Sequence, residues 1–138
     1  MRFTALRPGG PREIQRLSWV GPAALLTAAT AALCLASPSA QHAWVLLVLA
    51  PLFEESIFRA GVQDWLSRAA RGRWPAIVGT ALLFAAAHVL VSGDWIRAAV
   101  AVPALAVGVV YARTGRVRDC VVLHAAMNAL WLGGLAAI

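Results

Sequence analysis

The chain has 138 residues, of which 61% are hydrophobic and only 13% charged, with a mean hydropathy of +0.74. A soluble domain runs nearer half apolar and about a quarter charged, so this composition excludes a disordered chain and argues against an ordinary soluble domain. The net charge of +6 suits a nucleic-acid binder at first sight, but all twelve basic residues are Arg and fall in bursts between apolar runs. Such bursts mark cytoplasmic loops of a membrane protein, so no nucleic-acid partner is expected. At about 20 apolar residues per membrane-spanning helix, a chain of this length holds roughly five or six spans and little else.

The elements follow in chain order. Met1–Arg16 carries Pro8, Gly9, Gly10, Pro11 and four Arg, and reads as a short cytoplasmic tail. From about Leu17 to Ser37 the chain is uncharged and Ala-rich, which fits an uncleaved first span better than a signal peptide, since the run exceeds the usual apolar core of a signal. A second apolar run begins near Ala43, carries Glu54 and Glu55 near its far end and closes at Arg59. The polar stretch Gln63–Arg73 is expected to form an interfacial amphipathic helix, with Trp65 and Leu66 among Asp64, Arg68 and Arg71. Further spans are expected over Trp74–Val91, Trp95–Tyr111 and Val121–Ile138, joined by turns at Ser92–Gly93–Asp94 and Thr114–Gly115–Arg116. The expected fold is all-α, a polytopic helical membrane bundle of about five spans. It forms a single membrane domain over residues 1–138, with the working core in 43–138.

Eleven of the twelve Arg fall on one side of this five-span layout: four in the tail, then Arg59, Arg68, Arg71, Arg73, Arg113, Arg116 and Arg118. Arg97 alone falls on the other. The positive-inside rule then places the N-terminus in the cytoplasm, in the cytoplasmic (inner) membrane of a cell. Cys34 and Cys120 fall near opposite membrane faces, so no disulfide between them is expected, and neither has metal-ligand spacing.

Ionisable groups inside spans are costly and mark functional sites by default. Here they are few: Glu54, Glu55 and Arg59 in the second span, His88 in the third, and His124 with Asn128 in the fifth. Residues four apart share a helix face, which pairs His124 with Asn128 and lets Glu55 form an ion pair with Arg59. Glu54 is rotated from Glu55 by about 100°, so one carboxylate can be structural while the other faces the bundle interior. Each feature alone has a bland explanation: a solvated helix end, a core histidine, a polar contact between helices. Together they put six polar groups on three helices that carry little else polar.

A carboxylate near two imidazoles can activate a water as general base, and His and Asn can donate to the oxyanion formed on an amide carbonyl. Alternatively Glu54, His88 and His124 could hold Zn²⁺ with an open water position. Both routes lead to peptide-bond hydrolysis inside the membrane. Two non-enzymatic readings stand beside them: an immunity or scaffold protein that keeps these residues for packing, and a small transporter subunit that relays protons along a path.

The segments Glu54-Glu55-x-x-x-Arg59, Phe84-x-x-x-His88 and His124-x-x-x-Asn128 resemble, in order and spacing, the three motifs of the CPBP (Abi) intramembrane proteases. That family includes type II CAAX prenyl endopeptidases and bacterial relatives linked to bacteriocin self-immunity. Phe58-Arg59-Ala60-Gly61 and Tyr111-Ala112-Arg113-Thr114-Gly115 fit as flanking text, and the likeness runs from about Pro51 to Trp131. The resemblance implies that Glu54 is the water-activating base, supported by Glu55 and Arg59. His88 and His124 would orient the water or stabilise the oxyanion, assisted by Asn128. It implies an endopeptidase acting on membrane-embedded peptides or proteins, with no cofactor required in its glutamic form and Zn²⁺ in its metal-dependent one. C-terminal sorting tails of exported proteins suit a short, Lys-free chain better than prenylated substrates. The chain is shorter than typical members, which suggests a less enclosed cavity or completion by a homo- or hetero-oligomeric partner. One tension stands: His88 lies fourteen residues beyond Trp74, about 21 Å at α-helical rise, whereas Glu54 and His124 are expected near cytoplasmic helix ends.

Overall fold

The computed structural model describes residues 20–34, 37–69 and 72–135; the expected tail over residues 1–16 lies outside them. The described residues are almost entirely helical, with no strand among them, as the all-α expectation requires. The chain divides into two compact units, Met1–Trp44 and Val45–Ile138.

In the first unit, α1 (Val20–Cys34) is apolar and uncharged, and α2 (Pro38–Trp44) follows it. Thr27 and Thr30 fold their hydroxyls back onto the carbonyls of Ala23 and Leu26, at 2.9 and 2.8 Å, which satisfies them without leaving the helix. The indole N–H of Trp44 donates to Thr30 Oγ1 at 3.2 Å and ties α2 to α1.

The second unit opens with a helical run from Val45 to Ala69 whose winding changes along its length. A π-helical turn over Val45–Leu49 leads into α3 (Ala50–Glu55), a second π segment covers Ser56–Gln63, and α4 (Asp64–Ala69) completes it. Pro51 explains the first irregularity. A proline has no N–H and its ring crowds the carbonyl four residues back, so the regular ladder cannot pass through it. The second span therefore does not close at Arg59, and Gln63–Arg73 is not a separate interfacial helix: Gln63 is buried and the helix runs on to Ala69.

Three further helices complete the unit: α5 (Arg73–Ser92), α6 (Ala101–Thr114), which is preceded by a 3₁₀ segment Trp95–Val100, and α7 (Val117–Leu135). Gly93 and Gly115 end α5 and α6 with φ of 70° and 64°, and each donates its N–H back into the helix, to Val89 and Tyr111. This left-handed cap favours glycine, and it makes the short turns expected at these two sites. The Asp94 carboxylate then caps the 3₁₀ segment by accepting from Ile96 N at 2.9 Å.

Contacts set the register. Leu66 packs beside Gly79 and Phe58 meets Phe84 edge-on at 4.9 Å between centroids, so α5 runs antiparallel to the Val45–Ala69 run. Gly108 of α6 lies against Ile77 of α5, and Cys120 of α7 bonds the Val107 carbonyl of α6. Glu55 meets His124 and Leu46 meets Asn128, which closes α7 antiparallel onto the first run. The result is an up-down-up-down bundle of four helical rods.

Its packing is the reverse of a soluble bundle. Small residues such as Ala76, Ala81, Ala85 and Ala104 fill the interior beside buried Glu55, Arg59, Gln63 and Thr80, while Leu82, Leu90, Val91, Val102, Val122 and Leu130 face outward. Small interfacial residues and inward polar groups are what helices use where lipid, not water, surrounds them. Two helices, Arg73–Ser92 and Trp95–Thr114, are long and apolar enough to cross a membrane. Only 33% and 17% of their apolar windows are buried, which sets them apart from core helices of a soluble protein.

Candidate functional site

Glu55, Arg59 and Gln63 follow one another at four-residue steps along one face of the first run. The arrangement builds a continuous buried string. His124 Nδ1 lies 2.7 Å from Glu55 Oε1, Arg59 Nε donates to Glu55 Oε2 at 2.6 Å, and Arg59 Nη1 donates to Gln63 Oε1 at 3.1 Å. Gln63 Nε2 then donates to the Gly108 carbonyl at 2.9 Å. Glu55 and Arg59 are 1% and 0% exposed, so the pair is held away from solvent. Mutual charge neutralisation and the bonds to His124 and Gln63 offset the cost of that burial, although Arg59 Nη2 is buried without a hydrogen-bond partner among the described residues. A side chain at residue 108 would place its Cβ 3.1 Å from Ile77 and 3.3 Å from both Arg59 and Gln63, so glycine is what lets α6 approach.

Glu54, one residue earlier, points elsewhere. It is 30% exposed and lines a cavity of about 570 Å³ together with Glu55, His88, His124 and Asn128. It also lines a second cavity of about 390 Å³ with Phe58, His88 and Arg97. Five of the six residues singled out in the sequence thus meet on one cavity; the sixth, Arg59, lies buried behind it. Glu54, His88, His124 and Asn128 meet on this cavity, and the buried string of Glu55, Arg59 and Gln63 runs on from it.

The imidazoles are oriented by what their Nδ1 atoms touch. His88 Nδ1 lies 3.0 Å from the Phe84 carbonyl, which can only accept, so Nδ1 carries the hydrogen and Nε2 is the free atom. His124 Nδ1 likewise faces a carboxylate already held by Arg59, and its Nε2 lies 3.8 Å from Glu54 Oε2. That gap is too long for a direct hydrogen bond, and a water bonded to both atoms would sit to the side of the line joining them. Phe84 packs against both rings, at 4.4 Å from His88 and 6.0 Å from His124, and fixes their planes.

Asn128 donates through Nδ2 to the Leu46 carbonyl at 2.8 Å. The π-helical turn before Pro51 makes this bond necessary. The next i to i+5 bond of that turn would run from residue 51 to the Leu46 carbonyl, and Pro51 has no N–H to give. Asn128 supplies the missing donor and pins the start of the helix that carries Glu54.

The depth tension disappears in this register. Glu54 lies fifteen residues before Ala69 and His88 fifteen residues after Arg73, so an antiparallel hairpin brings them level. Glu54 is therefore not at the Arg-rich end of its helix, as expected from a span closing at Arg59. Sequence reasoning also missed Gln63 and Arg97. Gln63 continues the four-residue spacing of Glu55 and Arg59, which could have revealed it. Arg97 and Asp94 reach the cavity because the 3₁₀ segment folds over its mouth, and no sequence spacing announces that.

Among the described residues, no group of three His, Cys, Asp or Glu side chains is arranged to hold a metal ion. His124 Nδ1 and the Glu55 carboxylate are committed to each other, and Glu55 is further committed to Arg59.

The fold and site define a helical bundle with an apolar exterior whose interior holds a carboxylate beside two oriented imidazoles. The family model for type II CAAX prenyl endopeptidase Rce1-like proteins matches residues 36–130, and the chain belongs to that family of membrane-embedded proteases. All six site residues lie within the matched stretch. No curated protein and no solved structure matches the chain.

Proposed function

We propose that the protein is an intramembrane endopeptidase in which Glu54 activates the attacking water. The observation that carries this reading is the division between two adjacent glutamates: Glu55 is locked by Arg59 and His124, whereas Glu54 stands open on the cavity beside free imidazole Nε2 atoms. A water between Glu54 and His124 Nε2 gives one proton to Glu54 as its oxygen bonds the peptide carbonyl carbon. The second amide hydrogen of Asn128 is available to the oxyanion, and His88 Nε2 accepts an N–H of the peptide. Glu54 then returns its proton to the leaving nitrogen as the C–N bond breaks. Glu55 and Arg59 touch no reacting atom in this scheme; they hold His124.

The cavity of about 570 Å³ lies in the range that accommodates drug-sized ligands and short peptide segments, and its lining is mostly apolar apart from this polar cluster. This supports a membrane-embedded peptide or protein as substrate, with C-terminal tails of exported proteins as the class that suits it. The distribution of Arg supports residence in the inner membrane with the N-terminus cytoplasmic. No cofactor enters the mechanism. Cleavage of a reporter carrying a hydrophobic C-terminal tail by the purified chain tests the reading. Wild-type protein is expected to cleave and Glu54→Gln to be inert, and equal cleavage by both overturns it. Undiminished cleavage after exhaustive chelation is expected as well, and loss restored by added zinc would overturn the metal-free scheme.

A further inference from the structure

The four rods of Val45–Ile138 alternate in direction, so their connections sort into two ends. Ala69–Arg73 and Thr114–Val117 lie at one end, and Ser92–Trp95 lies at the other, with the start of the first run. Arg68, Arg73, Arg113, Arg116 and Arg118 all sit at the first end, and all are exposed. Among the described residues, Arg97 is the only Arg at the second end.

Both cavities that reach Glu54 open at the second end. The larger is lined there by Asp94, Ile96 and Arg97, and the smaller by Val91, Ser92 and Arg97, all of them exposed. No described residue of the two Arg-rich connections lines either cavity. Between Glu54 and that end stand Glu55, Arg59 and Gln63, each at most 2% exposed and bonded to the next, so the interior is closed on that side.

Short loops rich in Arg stay in the cytoplasm. From the Arg distribution and the position of the cavity mouth together, we propose that the site is served from the face of the membrane opposite the cytoplasm. Glu54 then acts on extended peptide segments at the outer border of the bilayer: the membrane-proximal parts of chains already exported, not cytoplasmic termini. The cleavage part rests on the endopeptidase reading above; the sidedness does not. It reverses the sequence expectation of a site near the cytoplasmic helix ends.

The test uses single cysteines in a full-length Cys34→Ser background. Cys120 is retained, because it is buried and should not react. Trp95→Cys and Thr114→Cys are exposed, lie at opposite ends and line neither cavity. A membrane-impermeant maleimide added to intact cells (spheroplasts where an outer membrane must be removed) is expected to label Trp95→Cys, and to label Thr114→Cys only after lysis. Labelling of Thr114→Cys in intact cells, or protection of Trp95→Cys there, overturns the proposal. A second arm presents a water-soluble, impermeant peptide substrate to right-side-out and inside-out vesicles. Cleavage is expected in the former; cleavage confined to the latter overturns the proposal. If neither cleaves while the labelling is as expected, the endopeptidase reading fails and the sidedness stands.

Discussion

Glu54 and Glu55 are chain neighbours with the same chemistry, yet they occupy two different regions of the molecule. One turns into a cavity that reaches the surface and has no bonded partner within hydrogen-bonding distance among the described residues. The other turns into the bundle and is tied to Arg59, and through it to Gln63 and α6. The difference follows from a rotation of about 100° between successive helical residues, which a bundle converts into wet against dry. A reactive carboxylate must be reachable and uncommitted, and it must also be aimed. The buried region does the aiming, because Glu55 holds the ring that faces Glu54.

The largest effect that could break this comparison is on activity alone. Glu54→Gln keeps shape and removes the base, and a positioned general base contributes about 10²- to 10⁴-fold, so cleavage should fall by that much. Its thermal midpoint in detergent should stay at the wild-type value; a large drop would mean that Glu54 is structural like its neighbour. Arg59→Leu should do the opposite first. It leaves the Glu55 carboxylate buried without its cation, and breaking such a pair costs about 3–5 kcal/mol, to be read from the denaturation midpoint. Arg59→Lys should rescue little, since an ammonium cannot reach Glu55 and Gln63 at once as the guanidinium fork does.

The sequence made the open region legible because charges in apolar runs are rare. Glu54, His88, His124 and Asn128 could be found by asking what a bilayer should exclude, and the all-α bundle followed from composition and from glycine at the two turns. The buried region was legible only in part. Glu55 and Arg59 are visible as a four-residue pair, but Gln63 looked like the start of a surface segment because it is followed by Asp64, Arg68 and Arg71. Burial there depends on Gly108 letting α6 come close, a property of two helices that neither one displays alone. The error in the end of the second span had the same source. Arg59 reads as a boundary residue until its partners are known, and moving that boundary shifts the depth of the whole site.

Smaller effects test how the buried region is held. Gly108→Ala puts a methyl 3.1 Å from Ile77 and 3.3 Å from the Arg59–Gln63 bond, and overpacking of this kind costs about 1–3 kcal/mol. Activity should fall with it if the string positions His124, and stability alone if it does not. The smallest effect concerns Asn128. Its bond to the Leu46 carbonyl replaces the N–H that Pro51 lacks, so Asn128→Ala should cost about 1 kcal/mol, the usual net worth of one hydrogen bond. Pro51→Ala restores an N–H to the ladder at the position where the donor is missing. In that background the Leu46 carbonyl has a partner of its own, and the stability cost of Asn128→Ala should shrink toward zero, a coupling that a double-mutant cycle reads directly. If cleavage by the double variant also returns toward that of Pro51→Ala alone, Asn128 acts by pinning the helix that carries Glu54. If stability returns and cleavage does not, its second amide hydrogen acts on the oxyanion, and Asn128 belongs to the open region as well as to the scaffold behind it.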